Sequence, residues 1–415
     1  MTDRPELVID GDGHVIEVNE TYEGIDPAYR HRRPIYTQTA KGNIVRLIDG
    51  KVWGPQAEGG FVGVNGNLFP PHGKAIHYRR MGTYNPWARL ADMDRDGIDV
   101  AVIYPTDELP LTVTPDAGFA AARARAYNDW LHQYCQVCPR RLKGIGIVAL
   151  QDVEGAMAEM RRAVTRLDMV GIQIGCTVRE DTLLSDVRLD PFWAEAERLN
   201  VAIAVHGPAL PSFFRGYFDV NRPDHMLEAS HMAHTFAQML ACSNIVTGGV
   251  LERFPRLRIA FLEAGAGWVP YWIHRMDEYQ EVAPERWAAL SAKPSDYVRS
   301  GRVFFSCEPG DEFIPFFLEH VGEDAMLFAS DYLHFDALFV GELGRDGLPY
   351  PGTVATLMAR KDVPDSAKRK MVLDNSLKFY GLDRSGLGRI GTPVTRPEPE
   401  QARRAVVSGT ISARA

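Results

Sequence analysis

Residues 7–17 read LVIDGDGHVIE, and the seven residues after the first four decide the fold. Leu7 to Asp10 read as a short strand. No GxGxxG comes after it, so the glycine pattern by which a doubly wound dinucleotide fold cradles a pyrophosphate is missing. Asp12 and His14 stand there instead, two polar residues able to do chemistry.

Seven similar runs come later in the chain: DVAVIYP (99–105), KGIGIVAL (143–150), VGIQIG (170–175), VAIAVHG (201–207), RIAFLEAG (258–265), VFFSCE (303–308) and AMLFASD (325–331). Each is short, rich in Val, Ile or Phe, and barely alternating, the pattern of strands buried on both faces of a parallel sheet. Amphipathic stretches of helical period fill the gaps. Eight βα units predict a (β/α)8 TIM barrel, with an open doubly wound sheet as the alternative. In a barrel the C-terminal strand ends meet on one face. Asp12 and His14 at the first strand, His206 at the fifth, Glu263 at the sixth and Asp331 at the eighth would meet there.

Two regions break the alternation. Residues 18–90, rich in Gly, Pro, aromatics and Arg, are expected to form a lid or subdomain over the catalytic face, or equally an oligomer contact. Trp53, His77, Tyr78 and Arg80 are its candidate pocket-covering residues. The tail 384–415 lacks apolar periodicity and is expected to be extended or disordered, leaving 1–383 as the barrel.

Composition narrows the function. The 415 residues are 45% hydrophobic and 24% charged, as in a globular protein, and a net charge of −8 argues against nucleic acid as the partner. No apolar run reaches membrane-spanning length, and MTDRPELVIDGDG carries charge from the start, so neither a membrane nor secretion is expected and the cytoplasm is the default. Five cysteines make no disulfide framework. Cys135 and Cys138 form a CxxC without a second ligand pair at zinc spacing, and read as packed thiols.

Asp12 and His14 are two apart, so on a strand both side chains point the same way and can reach one ion. Taken singly, His206 would be a core or turn histidine and Asp331 a helix N-cap. Two histidines and two carboxylates together suit Zn, Mn or Fe(II). His231 and His234 fall on a helix where histidines mostly pack or face water, and His274 reads as packing, with Trp268 and Trp272. His334 lies in a loop at the catalytic face.

The stretches IDGDGHVIE, RLADMDRDGIDVAVIYPT, VHGP, GVLERFPRLRIAFLEAGAGWVPYWIHRMD, ASDYLH and DNSLKFYGL, in that order, resemble the amidohydrolase-related family. This is the branch that includes aminocarboxymuconate-semialdehyde and resorcylate decarboxylases. The resemblance spans most of residues 7–382 and leaves out the insertion and tail. It implies a barrel holding one divalent metal ion through Asp12, His14, His206 and Asp331. The family usually opens with His-x-His or Glu-x-His; Asp12 departs from this and its charge favours Mn or Fe over Zn. The family's decarboxylases carry a histidine at the end of the sixth strand, where this chain has Glu263.

Asp331, Glu263 and His334 are therefore the expected catalytic residues, with Asp331 moving a proton. Glu263 in place of histidine tilts the expectation toward a hydrolase using metal-activated water on a small planar aromatic, heteroaromatic or unsaturated acid. A metal-dependent, non-oxidative decarboxylase of such acids is the alternative. Retention of all four ligand types argues against a decayed binding protein. A small-molecule substrate and a homo-oligomer are expected.

Overall fold

The eight runs become eight parallel strands: β1 (Ile9–His14), β2 (Val100–Tyr104), β3 (Leu142–Ile147), β4 (Gly171–Ile174), β5 (Ala202–Val205), β6 (Ile259–Phe261), β7 (Val303–Cys307) and β8 (Met326–Phe328). They hydrogen-bond side by side in sequence order. The remaining seam between β8 and β1 is bridged just past β8, where the Asp331 amide donates to Asp12 O at 3.1 Å. Ser330 donates its amide and hydroxyl to the Asp10 carboxylate at the same seam. The nearly closed barrel is α/β, as its sequence implies. This computed structural model describes residues 5–38, 44–53, 61–62, 68–69, 81–179, 182–207, 226–332, 334, 338–344 and 346–388.

Helices cover the outside: α1 (Pro86–Asp96), α2 (Ala117–Gln136), α3 (Val153–Arg166), α4 (Asp190–Leu199), α5 (Met226–Thr247) and α6 (Trp268–Val282) among them. The start of α1 shows why such boundaries form. Asn85 accepts from the amides of Trp87 and Ala88, Pro86 sits in the first turn, and Gly97 ends the helix at φ 87°. On α6 the buried stripe is Val269, Pro270, Ile273 and Met276. His274 falls between these positions and is 68% exposed, so it faces solvent and does not pack as its sequence context suggested. Trp268 is buried, and Trp272 bonds Met239 O, as expected of packing residues.

β1 runs further than its apolar letters: Asp12 and His14 lie within the strand, not after it. The register against β2 slips by one residue between Asp10 and Gly13, a bulge that re-aims the side chains at the strand's end.

The insertion ends at 85, where α1 begins, a few residues short of the expected boundary. It holds an antiparallel three-stranded sheet (Ile35–Gln38, Ile44–Ile48, Lys51–Trp53) and a short pair, Phe61–Val62 with Leu68–Phe69. Tyr22, Ile25 and Ile48 pack with Phe119, Ala122 and Ala126 of α2 in a small separate core. His77, Tyr78, Arg80 and the Trp53 side chain lie outside the described residues. The tail begins later than 384. Leu387 is buried, and the Gly388 amide donates to Arg140 O, so residues 384–388 dock on the barrel. The remainder of the tail is outside the described residues.

Cys135 is buried in α2 and Cys138 is half-buried beyond it, both as free thiols. Burial pushes the Cys135 thiol up to about 12. Among the described residues, no helix is long and apolar enough to cross a membrane.

Candidate metal and catalytic centre

His14, 1% exposed, has its Nδ1 2.7 Å from Pro105 O. A carbonyl only accepts, so the proton is on Nδ1 and Nε2 presents a lone pair. Burial, and then the charges of His334 and His206, hold this imidazole well below its usual range, which keeps it neutral. Its Nε2 lies 3.6 Å from Asp12 Oδ1 and 3.6 Å from Asp331 Oδ1. Among the described residues this nitrogen has no hydrogen-bond partner. A lone pair facing two carboxylate oxygens in a buried site is a repulsive contact that a cation between them would turn attractive.

His206 ends β5, fully buried, with Nε2 3.2 Å from Asp12 Oδ1. The other oxygen of Asp12 accepts the Ser306 hydroxyl at 2.9 Å, and Ser306 Oγ in turn accepts the Glu263 amide at 2.9 Å. Ser306 thus orients a candidate ligand. It carried no local sequence signal, since its run is buried throughout and its partner Asp12 lies 294 residues away.

Glu263 and Asp331 come after β6 and β8 with left-handed backbones, φ 57° and 47°. Such conformations are uncommon outside glycine, more so for Glu than for Asp, cost stability, and gather at functional sites. Between the two stands His334, whose Nδ1 is 2.8 Å from Glu263 Oε1 and 2.8 Å from Asp331 Oδ1. Its Nε2 lies 3.3 Å from Thr106 Oγ1, whose own proton goes to Val15 O. Both ring nitrogens therefore carry protons. Burial works against that charge, but the two carboxylates outweigh it and raise His334 well above the usual histidine range. Glu263 is the mirror case: burial would raise it, yet His334, His234 and His206 together hold it well below the usual range. The His14 and His334 rings stack with centroids 3.9 Å apart.

The expected ligands Asp12, His14, His206 and Asp331 fall in two overlapping groups, the second shared with the expected catalytic residues Glu263 and His334. Asp12, His14 and His206 offer ligand atoms that all lie within 4.8 Å of one another. His14, Glu263, Asp331 and His334 do the same. Asp331 therefore joins the first three through His14 and not through His206. His234, half-buried on α5, approaches Glu263 Oε2 at 3.7 Å, although its helical position suggested packing or solvent. The His231 side chain lies outside the described residues. A cavity of about 150 Å³ opens onto Asp12, Glu263, Ser306 and Asp331.

Behind the imidazoles, Glu17 is buried against residues 106–108. Burial, with Asp107 and Glu108 alongside, pushes its carboxyl up to about 8, against the pull of Arg46.

Comparison with known proteins gives the family and the fold. The amidohydrolase family model matches residues 9–382. The chain is 26% identical over 308 residues to a 2-amino-3-carboxymuconate-6-semialdehyde decarboxylase of Dictyostelium discoideum, covering 72% of this chain and 77% of that one. It is 30% identical over 203 residues to a gamma-resorcylate decarboxylase of Rhodococcus jostii, covering 46% of this chain and 58% of the other. In fold it is similar to an amidohydrolase from Mycobacterium avium subsp. paratuberculosis, with TM-score 0.70 and 21% identity over 92% of this chain and 100% of that one. It is also similar to a 5-carboxyvanillate decarboxylase from Novosphingobium aromaticivorans, solved with manganese and 3-methoxy-4-hydroxy-5-nitrobenzoic acid. There the TM-score is 0.65 at 20% identity, over 92% of this chain and 99% of that one. With a model match spanning nearly the whole barrel, this chain belongs to the amidohydrolase family.

Proposed function

We propose that the protein is a metal-dependent, non-oxidative decarboxylase of a small aromatic or unsaturated acid. The observation that carries the reading is the state of Glu263. The hydrolytic expectation needed a carboxylate ready to take a proton from water. Glu263 instead bonds His334, lies near His206 and His234, and is held well below the usual range, which makes it a weak base. Relatives whose names are those of decarboxylases support the same choice.

The donor set fits a divalent ion. Asp12, His14 and His206 would hold it, with Asp331 reaching in beside His14, and these nitrogen and oxygen donors suit Mn, Fe(II) or Zn. A divalent ion bound there supplies positive charge that polarises a substrate oxygen. The remaining work belongs to side chains. Asp331 takes the proton of His334 Nδ1, 2.8 Å away, and delivers it to the ring or vinyl carbon that bears the carboxylate. A carbon–hydrogen bond forms, the carbon–carboxylate bond then breaks, and its electron pair returns to the conjugated system as carbon dioxide leaves. His334, held protonated between Asp331 and Glu263 at 2.8 Å from each, is the store of that proton and regains one from solvent after each turnover.

The test is a panel of 2-hydroxy and 4-hydroxy aromatic acids incubated with manganese-loaded protein, reading carbon dioxide release. Turnover of at least one acid is expected, and Asp331→Asn should lower it by on the order of 1,000-fold, within the range of a lost proton donor. Undiminished turnover in that variant would contradict the assignment.

A further inference from the structure

Residues 105–108, just past β2, reach the centre from behind. Pro105 O accepts the His14 Nδ1 proton at 2.7 Å. Thr106 donates its hydroxyl to Val15 O at 2.8 Å and takes the proton of His334 Nε2 at 3.3 Å. Two adjacent residues of one turn therefore set both stacked imidazoles. A turn with this task needs its own backbone amides satisfied, and one side chain does that. Glu17 Oε2 accepts from Asp107 N at 2.9 Å and Thr106 N at 3.4 Å, and Oε1 accepts from Glu108 N at 3.2 Å.

The far end of the turn is fixed as well. The Glu108 carboxylate takes Arg123 Nη2 at 2.6 Å, Arg46 Nη2 at 3.0 Å and the Tyr22 hydroxyl at 2.5 Å. Arg46 belongs to the insertion and is 1% exposed, so the insertion is tied to the same turn.

We propose that Glu17 is a positioning residue, whose carboxyl fixes the 105–108 turn and through it the setting of His14 and His334. Its effect on rate rests on the decarboxylase reading; its effect on the two imidazoles does not. Glu17→Gln is nearly isosteric, but its NH2 cannot accept, whereas either carboxyl oxygen, protonated or not, keeps a lone pair for an amide, so at least one N–H of the turn loses its partner.

In the full-length variant at pH 7 the metal content per chain is expected to match the wild type. The kcat should fall by on the order of 100-fold with KM little changed, as expected of a small misplacement at the reacting groups. The decisive readout is independent of turnover. In zinc-loaded protein carrying 15N-histidine, the Nδ1–H of His14 should exchange with water at least about tenfold faster than in the wild type, one bonded state having been loosened. Thr106→Val should disturb the Nε2–H of His334 while sparing His14, and Thr106→Ser should restore it. If Glu17→Gln yields no folded protein, Glu17→Asp, whose shorter side chain cannot span three amides, is expected to give the same imidazole signature. Wild-type exchange at both imidazoles in the folded Glu17 variant would overturn the proposal. So would a Thr106→Val protein with an unaltered His334. Faster exchange in the Glu17 variant, alongside a wild type that turns over no acid, would uphold the positioning role and sink only the decarboxylase reading.

Discussion

At the scale of single residues, the mouth of the barrel is organised by which atoms carry protons. His14 keeps its proton on the side of Pro105, His334 holds two, and Glu263 holds none, so one imidazole is free to serve as a candidate ligand and the other is a donor. The candidate ligands were legible because each stands where an apolar run ends, a local feature. Ser306 was not, since it meets Asp12 across 294 residues of chain. Thr106 meets His334 across 228 and Glu17 meets Thr106 across 89, contacts no local spacing encodes. Glu17 also supplies a pH test. Its carboxyl is raised from 4.5 to about 8 on folding, so across that interval the folded state binds more protons than the unfolded one. Stability from this group is complete below the unfolded value and is lost as pH rises through about 8. Asp107, Glu108 and Arg46 face it and share in the shift. Thermal midpoints of wild type relative to Glu17→Gln should therefore fall from pH 5 to pH 8; a relative rise would contradict the buried acid.

At the scale of elements, every barrel strand was legible in kind, because parallel strands buried on both faces must be continuous apolar runs. Their ends were not. β1 extends through IDGDGH because its polar letters are buried by neighbours far along the chain and its bulge absorbs an extra residue. The left-handed backbones of Glu263 and Asp331 were equally hidden: glutamate does not signal that conformation, and aspartate, though enriched in it, mostly adopts others. Gly13 tests the bulge. A β-carbon there would lie 2.5 Å from Arg89 Nη2 and 2.5 Å from Asp10 Oδ2, both on fully buried side chains. Arg89 also donates to His14 O at 2.7 Å, so yielding to the new methyl would move a candidate ligand. Gly13→Ala should cost about 1–3 kcal/mol, read from urea midpoints at constant m-value, and an unchanged midpoint would contradict the packing.

At the scale of the whole molecule, a nearly closed sheet gathers carboxylates and imidazoles from β1, β5, β6 and β8 at one end, and an insertion is bolted to the turn behind them. The insertion's place was visible as a break in alternation, but its attachment through Arg46 to Glu108 was not, because a lone arginine in a polar stretch looks like any solvated one. The central claim is that this centre removes a carboxylate and does not hydrolyse. Its most direct test is a single turnover of an accepted acid by manganese-loaded protein in deuterated, 18O-enriched water. Release of carbon dioxide with one solvent deuterium on the former carboxyl-bearing carbon, and no heavy oxygen in the organic product, is predicted. Heavy oxygen in that product without carbon dioxide would contradict the account.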